Sequence, residues 1–194
     1  YVNSQIFFLT LPLVLAILAI SLGSRLIASE ETDKTIENIM SRPVSRFKFL
    51  LSKAAVGEII LLLVTFVAWL TVVILAVVVD LDVSLMRLTQ ATFGCFLFGY
   101  LCGAGAFAVT AIGRAKSASI AIATFIAFGG YILTSLSGTV EWLKWPSKLL
   151  PFHYYQSEAI LRGTYNWNNL WYFVTVIFLC VIISWISFRK RDLE

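Results

Sequence analysis

Few side chains in this sequence are equipped for chemistry. It has one histidine, His153, and three cysteines, Cys95, Cys102 and Cys180. None of them stands at a spacing that holds a metal ion. The cysteines fall inside apolar runs, where a small residue ordinarily serves packing. The glycine-rich stretch GCFLFGYLCGAGAF at 94–107 has no lysine after its glycines, so it lacks the G-x-x-x-x-G-K-[ST] pattern that cradles phosphate. No nucleophile is paired with a base. The chain reads as no enzyme, with neither a metal nor a cofactor of its own. What it does carry is one dense block of charge, SEETDKTIENIMSRPVSRFKFLLSK at 29–53, with four acids and five bases.

The elements around that block follow from composition. Of 194 residues, 59% are hydrophobic and 13% charged, and the mean hydropathy is +0.87. A soluble domain carries roughly 25% charged residues, so this chain lacks the polar surface to face water all round. The expectation is an all-α integral membrane protein, a polytopic helical bundle in one domain over 1–194. A bilayer core of ~30 Å needs ~20 apolar residues of helix. Five runs qualify, giving spans at about 6–27, 55–79, 88–112, 118–137 and 169–188. Barrel strands would alternate apolar with polar, and these runs do not. Pro12 lies within the first run, tolerable where neighbours re-satisfy the freed carbonyl. That run is not read as a signal peptide, because it has no basic region before it and is too long.

Lysine and arginine set the orientation. Arg25, Lys34, Arg42, Arg46, Lys48, Lys53, Arg114, Lys116, Arg189, Lys190 and Arg191 fall on one side; Arg87, Lys144, Lys148 and Arg162 fall on the other. The first set marks the cytoplasmic side and puts the C-terminus there. The N-terminus then starts outside, and five visible spans suggest six with an N-terminal one missing.

The charged block is thus a cytoplasmic loop, bounded at 28–54. Ile36, Ile39 and Met40 make a small apolar stripe at helical spacing. Thr32 or Asp33 suits the N-cap, and Glu30, Glu31 and Asp33 suit the positive end of the dipole. Pro43 disfavours helix at Arg42. Ser45 then caps a second helix, whose stripe of Phe47, Leu50, Leu51 and Ala54 runs into the next span. Such a loop fits a headgroup layer or a protein partner, and four acids ahead of the bases favour the protein.

The same residues carry a resemblance. Glu30 or Glu31, Thr35, Ile39, Met40, Pro43, Val44, Ser45, Arg46 and Lys53 resemble the first cytoplasmic loop of type-2 ATP-binding-cassette exporter permeases, roughly E-x-x-x-G-T-x-x-x-L-L-x-x-P-V-S-R and a later Lys. The family's glycine before Thr35 is Lys34 here, which bears on the turn ahead of the helix. LLPFHYYQSEAILRG at 149–163 resembles the family's P-F-x-Y/F stretch, and FRKRDLE its basic tail. The resemblance implies that the loop is a coupling helix docking on a separate cytosolic ATPase subunit through Glu30, Glu31, Thr35, Glu37, Pro43, Ser45 and Arg46. It also implies a second permease copy or homologue, with ATP and Mg on the partner ATPase. It places the protein in a bacterial or archaeal plasma membrane. It further implies an outer gate that includes Pro151, Phe152, His153 and Tyr154.

The rest of the sequence is weighed on its own terms. The extracellular segment 138–167 is too polar to span, yet rich in Trp and Tyr, which prefer the interface. It reads as a re-entrant or interfacial helical segment of one or two short helices broken by Pro146 and Pro151, or as a plain aromatic belt. Glu158 and Arg162 would pair at i, i+4. Cys95, Gly99 and Gly103 stand four apart, a small-residue face for packing inside one bundle or between two copies. Glu58 is the one acid near a span. Thr65, Thr71, Thr110 and Thr134 are available to a pathway. The alternatives are an ion-coupled secondary transporter, which would lean on Glu58, and a non-transporting membrane scaffold or assembly factor. Nothing points to nucleic acid.

Overall fold

A computed structural model describes residues 6–32, 46–80, 83–113 and 115–190. Among these residues all regular structure is helical and no strand occurs. A π-helical turn, Ile6–Thr10, leads into α1, Leu11–Thr32. Three long helices follow: α2 at Arg46–Val78, α3 at Leu85–Ala111 and α4 at Lys116–Ser137. Then come a 3-10 turn at Glu141–Leu143, α5 at Lys144–Ser147, α6 at Pro151–Tyr154, α7 at Ser157–Arg162 and a 3-10 turn at Trp167–Asn169. The long helix α8, Leu170–Lys190, comes last.

Four stretches, Phe47–Val78, Leu85–Ala111, Lys116–Ser137 and Trp167–Arg189, are long and apolar enough to cross a membrane. The reason is common to all four. A mostly apolar run has few polar side chains to pair its peptide groups, and a helix satisfies them internally. The first predicted span, 6–27, is the π turn followed by α1, whose apolar stretch Leu11–Leu26 is shorter. Pro12 is the second residue of α1, directly after the π turn, so its missing N–H leaves a carbonyl of that turn without a helical donor, and the Phe7 carbonyl takes the Tyr155 hydroxyl instead.

α3 is the centre of the bundle. It packs most extensively on α1, then on α8, α4 and α2. The α1–α3 crossing is built from residues with almost no side chain. A methyl at Gly103 would lie 3.0 Å from both the carbonyl oxygen and Cβ of Ala19, and one at Gly99 would lie 3.2 Å from the Leu15 backbone. A methyl at Gly23 would overlap the Gly103 carbonyl oxygen. Around this seam the core gathers Leu15, Ala16, Ile20, Leu88, Phe98 and Phe173. A second cluster, at the other end of α3, joins Phe49 and Leu50 of α2 to Ala111 and Phe188. By contrast α2 and α8 expose long apolar faces, including Leu63, Val67, Ile74 and Val77 on α2 and Trp171 and Phe178 on α8.

Three expectations need correction. Glu30, Glu31 and Thr32 end α1 rather than open a second helix, while α2 begins at Arg46, directly after the Ser45 expected to precede it. The stripe of Phe47, Leu50, Leu51 and Ala54 is turned by about one residue. Phe49 and Leu50 are buried while Phe47 and Leu51 are about half exposed, because Phe49 stacks on Phe188 with ring centroids 5.9 Å apart. Finally, Pro146 breaks no helix, whereas the helical segment is interrupted at 148–150, directly ahead of Pro151. Pro146 lies inside the single turn of α5, and Pro151 starts α6, both places that need no N–H from proline.

Candidate functional site

The residues expected to dock an ATPase divide between two helix ends and the connection between them. Glu30 and Glu31 belong to the last turns of α1, and Arg46 is the first residue of α2. Thr35, Glu37, Pro43 and Ser45 lie outside the described residues, as do Ile36, Ile39, Met40 and the Asp33 cap.

The short elements between α4 and α8 form the most developed side-chain constellation. Phe152 is 2% exposed and is enclosed by three rings. Phe98, Tyr131 and Tyr155 lie at 5.5, 5.3 and 5.8 Å between centroids, each meeting it edge to face, the arrangement that aromatic quadrupoles favour. Tyr155 is also buried. Its hydroxyl lies 2.9 Å from Cys95 Sγ and donates to the Phe7 carbonyl oxygen. That one phenol joins the π turn, α3 and the outer segment. Burial pushes its pKa well above the ordinary tyrosine value, with the neighbouring Cys95 adding to the shift, so it remains a donor at any physiological pH.

Two further tyrosines repeat the device. Tyr165 donates to the Tyr154 carbonyl at 3.1 Å and Tyr172 to that of Leu149 at 2.8 Å. Tyr154 and Tyr172 stack with centroids 4.0 Å apart. Each phenol thus supplies a donor to a carbonyl in or beside the short helices, a group that would otherwise be costly to bury. The chain turns at Gly163 in the left-handed region, φ 77°, with the Arg87 guanidinium against it and donating to the Leu161 carbonyl at 3.3 Å.

Of the four outer residues named from sequence, Pro151 and Phe152 are buried, while His153 and Tyr154 are partly exposed. His153 borders an open cavity of about 410 Å³, together with Thr134, Gln156, Glu158 and Arg162. Glu158 and Arg162 meet at 3.4 Å on its rim, both well exposed, so the pair contributes little to stability. Burial, then the Lys148 ammonium, holds the His153 imidazole below its ordinary pKa. The neutral ring is therefore the form the fold favours. Stability from this group is present above its ordinary value and is lost as pH falls through the lower folded value. A proton-detected titration of the ring should show a depressed midpoint, and Lys148→Met should move it part of the way back up. An unchanged midpoint in that variant would show that Lys148 exerts no influence.

Cys95, Gly99 and Gly103 do share a face, but they serve different contacts. The two glycines meet α1, whereas Cys95 meets Tyr155. Both contacts lie within one chain. Thr65, Thr71 and Thr110 turn their hydroxyls to the carbonyls of Leu61, Val67 and Ala106 in their own helices. Thr110 also meets Ser119 at 2.8 Å. Thr134 Oγ1 is buried without a hydrogen bond, as is Ser157 Oγ. Tyr155 and Phe98 were not among the residues singled out from sequence. Their partners lie far along the chain, and no local pattern announces them.

A family model described as "Protein of unknown function (DUF2705)" matches residues 1–193. The chain belongs to that family. No curated protein and no solved structure matches it.

Proposed function

We propose that this member of the family is the transmembrane subunit of an ATP-binding-cassette exporter, working as a pair with a second permease and a separate cytosolic ATPase. The reading rests on one observation, the block T-D-K-T-I-E-N-I-M-S-R-P-V-S-R set between two long apolar helices. Its acids, its apolar stripe and its proline break suit docking into a protein groove better than contact with anionic lipid, which repels acids. The helical organisation agrees with it: at least four long apolar helices, and on the far side of α4 a compact group of short helices sealed by aromatic rings. In this scheme closure of the ATPase dimer moves the charged connection. The helices leading from it, α1 and α2, carry that movement to the bundle. α1 reaches the outer cluster directly, because Phe7 just ahead of it accepts from Tyr155.

The test is purification of the full-length protein in mild detergent, with identification of co-purifying proteins and an ATPase assay. A stoichiometric soluble ATPase is the expected result. In proteoliposomes of that complex, Glu37→Arg or Pro43→Gly should uncouple ATP hydrolysis from transport and leave insertion intact. Normal coupling in both variants would sink the docking role of the block. A protein that purifies alone from cells expressing its neighbours would favour a scaffold or a gradient-driven carrier.

A further inference from the structure

α2 and α8 touch each other only sparsely; α8 packs mainly on α3, and α2 packs on α3 and α1 alike. A window opens between them, with α3 as its floor. It is a hollow of about 180 Å³ walled by Phe47, Tyr100, Phe107 and Trp185, with Glu58 on its edge. A smaller hollow on the α1 side shares Glu58, Tyr100 and Phe107. Glu58 is the one ionisable acid in either lining, and no lysine, arginine or histidine joins it. Among the described residues it makes no ion pair. Lys53, on the preceding turns of α2, holds its ammonium over the Phe49 ring at 5.7 Å.

The position of Glu58 gives the window its meaning. From Glu58 to Val78 there are 20 residues (78 − 58) of continuous helix, which is ~30 Å and spans a hydrocarbon core. The carboxylate therefore stands where a bilayer's apolar region begins, beside four aromatic rings. A carboxylate there gains from an apposed cation, the more so where water is excluded. Aromatic faces attract organic cations, more strongly when water is excluded.

We propose that this window binds a membrane-dissolved organic cation, an amphipathic amine or quaternary ammonium. Its head group lies against Glu58 and the aromatic walls, and its tail stays in the bilayer. A zwitterionic lipid head group is the poorer occupant, because its phosphate would enter a lining that has no base to receive it. The site is formed by this chain alone and needs no ATPase, so its fate is separate from that of the transporter reading.

The probe is radiolabelled dodecyltrimethylammonium, added to the full-length protein in nanodiscs of phosphatidylglycerol, with empty nanodiscs as the partition baseline. Saturable binding above the baseline is expected, and Glu58→Gln should weaken it about tenfold, a modest share of one close charge interaction at a protein surface. Trp185→Leu should weaken it as well, and supplies the decision should Glu58→Gln fail to fold. Dodecanol, with the same chain and no charge, should not displace the probe. Equal binding by Glu58→Gln, or displacement by dodecanol, would overturn the proposal in favour of a merely apolar groove. Loss of binding in phosphatidylcholine nanodiscs would overturn it in favour of a lipid head group.

Discussion

Gly23→Ala lowers the melting temperature of the purified protein by roughly 5–10 °C, as overpacking of about 2–3 kcal/mol does in a chain of this size. The added methyl would sit on the Gly103 carbonyl oxygen and 3.2 Å from the Phe107 amide nitrogen. Those are backbone atoms of α3, so no side chain can swing away to make room. The helices must separate, and dispersion contacts along the seam are lost. The controls are Gly105→Ala and Gly129→Ala, whose added methyls meet nothing within 4 Å. These should be neutral or stabilising by up to ~1 kcal/mol, since alanine is the better helix former. A Gly23→Ala protein that melts with the controls would mean that α1 and α3 do not cross there.

Phe152→Ala is the second large effect, expected to destabilise by about 3–5 kcal/mol, the range for emptying a buried aromatic site. Phe98, Tyr131 and Tyr155 each lose a ring partner, and α6, a single turn, is left to the Tyr165 bond and the Tyr172 stack at Tyr154. The damage should be local as well as global. Tyr155 shields Cys95, so a maleimide should label Cys95 faster in the variant than in the parent, in a background where Cys102 and Cys180 are alanine. Phe152→Leu should recover much of the loss by refilling the volume. Unchanged labelling and melting in Phe152→Ala would show that the aromatic cluster seals nothing.

How much of this was legible depends on the range of the forces involved. The long helices follow from runs such as 59–79, because uniform apolarity leaves the backbone only itself to bond with. The close approach at Gly99 and Gly103 was visible as a spacing, though not its partner; Leu15, Ala19 and Gly23 carry no mark that assigns them to α3 rather than to α4. The face of α2 was misread by one residue. Phe47, Phe49, Leu50 and Leu51 are all apolar, and only the ring of Phe188, far along the chain, selects Phe49. The outer segment was legible in kind, from its Trp and Tyr content, but not in detail. Its short helices are too small to hold by propensity, and what holds them is Tyr155, Tyr165 and Tyr172 donating to carbonyls across the segment and beyond it.

The seam between α1 and α3 also sets the order of events during synthesis. Gly23 must wait for Gly103, and 80 residues (103 − 23) separate them. At roughly 5–20 residues per second on the ribosome, α1 is complete for about 4–16 s before its partner emerges. α2 arrives in between, yet packs more sparsely on α1 than α3 does. The nascent chain therefore passes through a stage with its tightest contact unmade and its most apolar helix already delivered. Throughout that stage the face of α1 that carries Leu15, Ala19 and Gly23 stays uncovered.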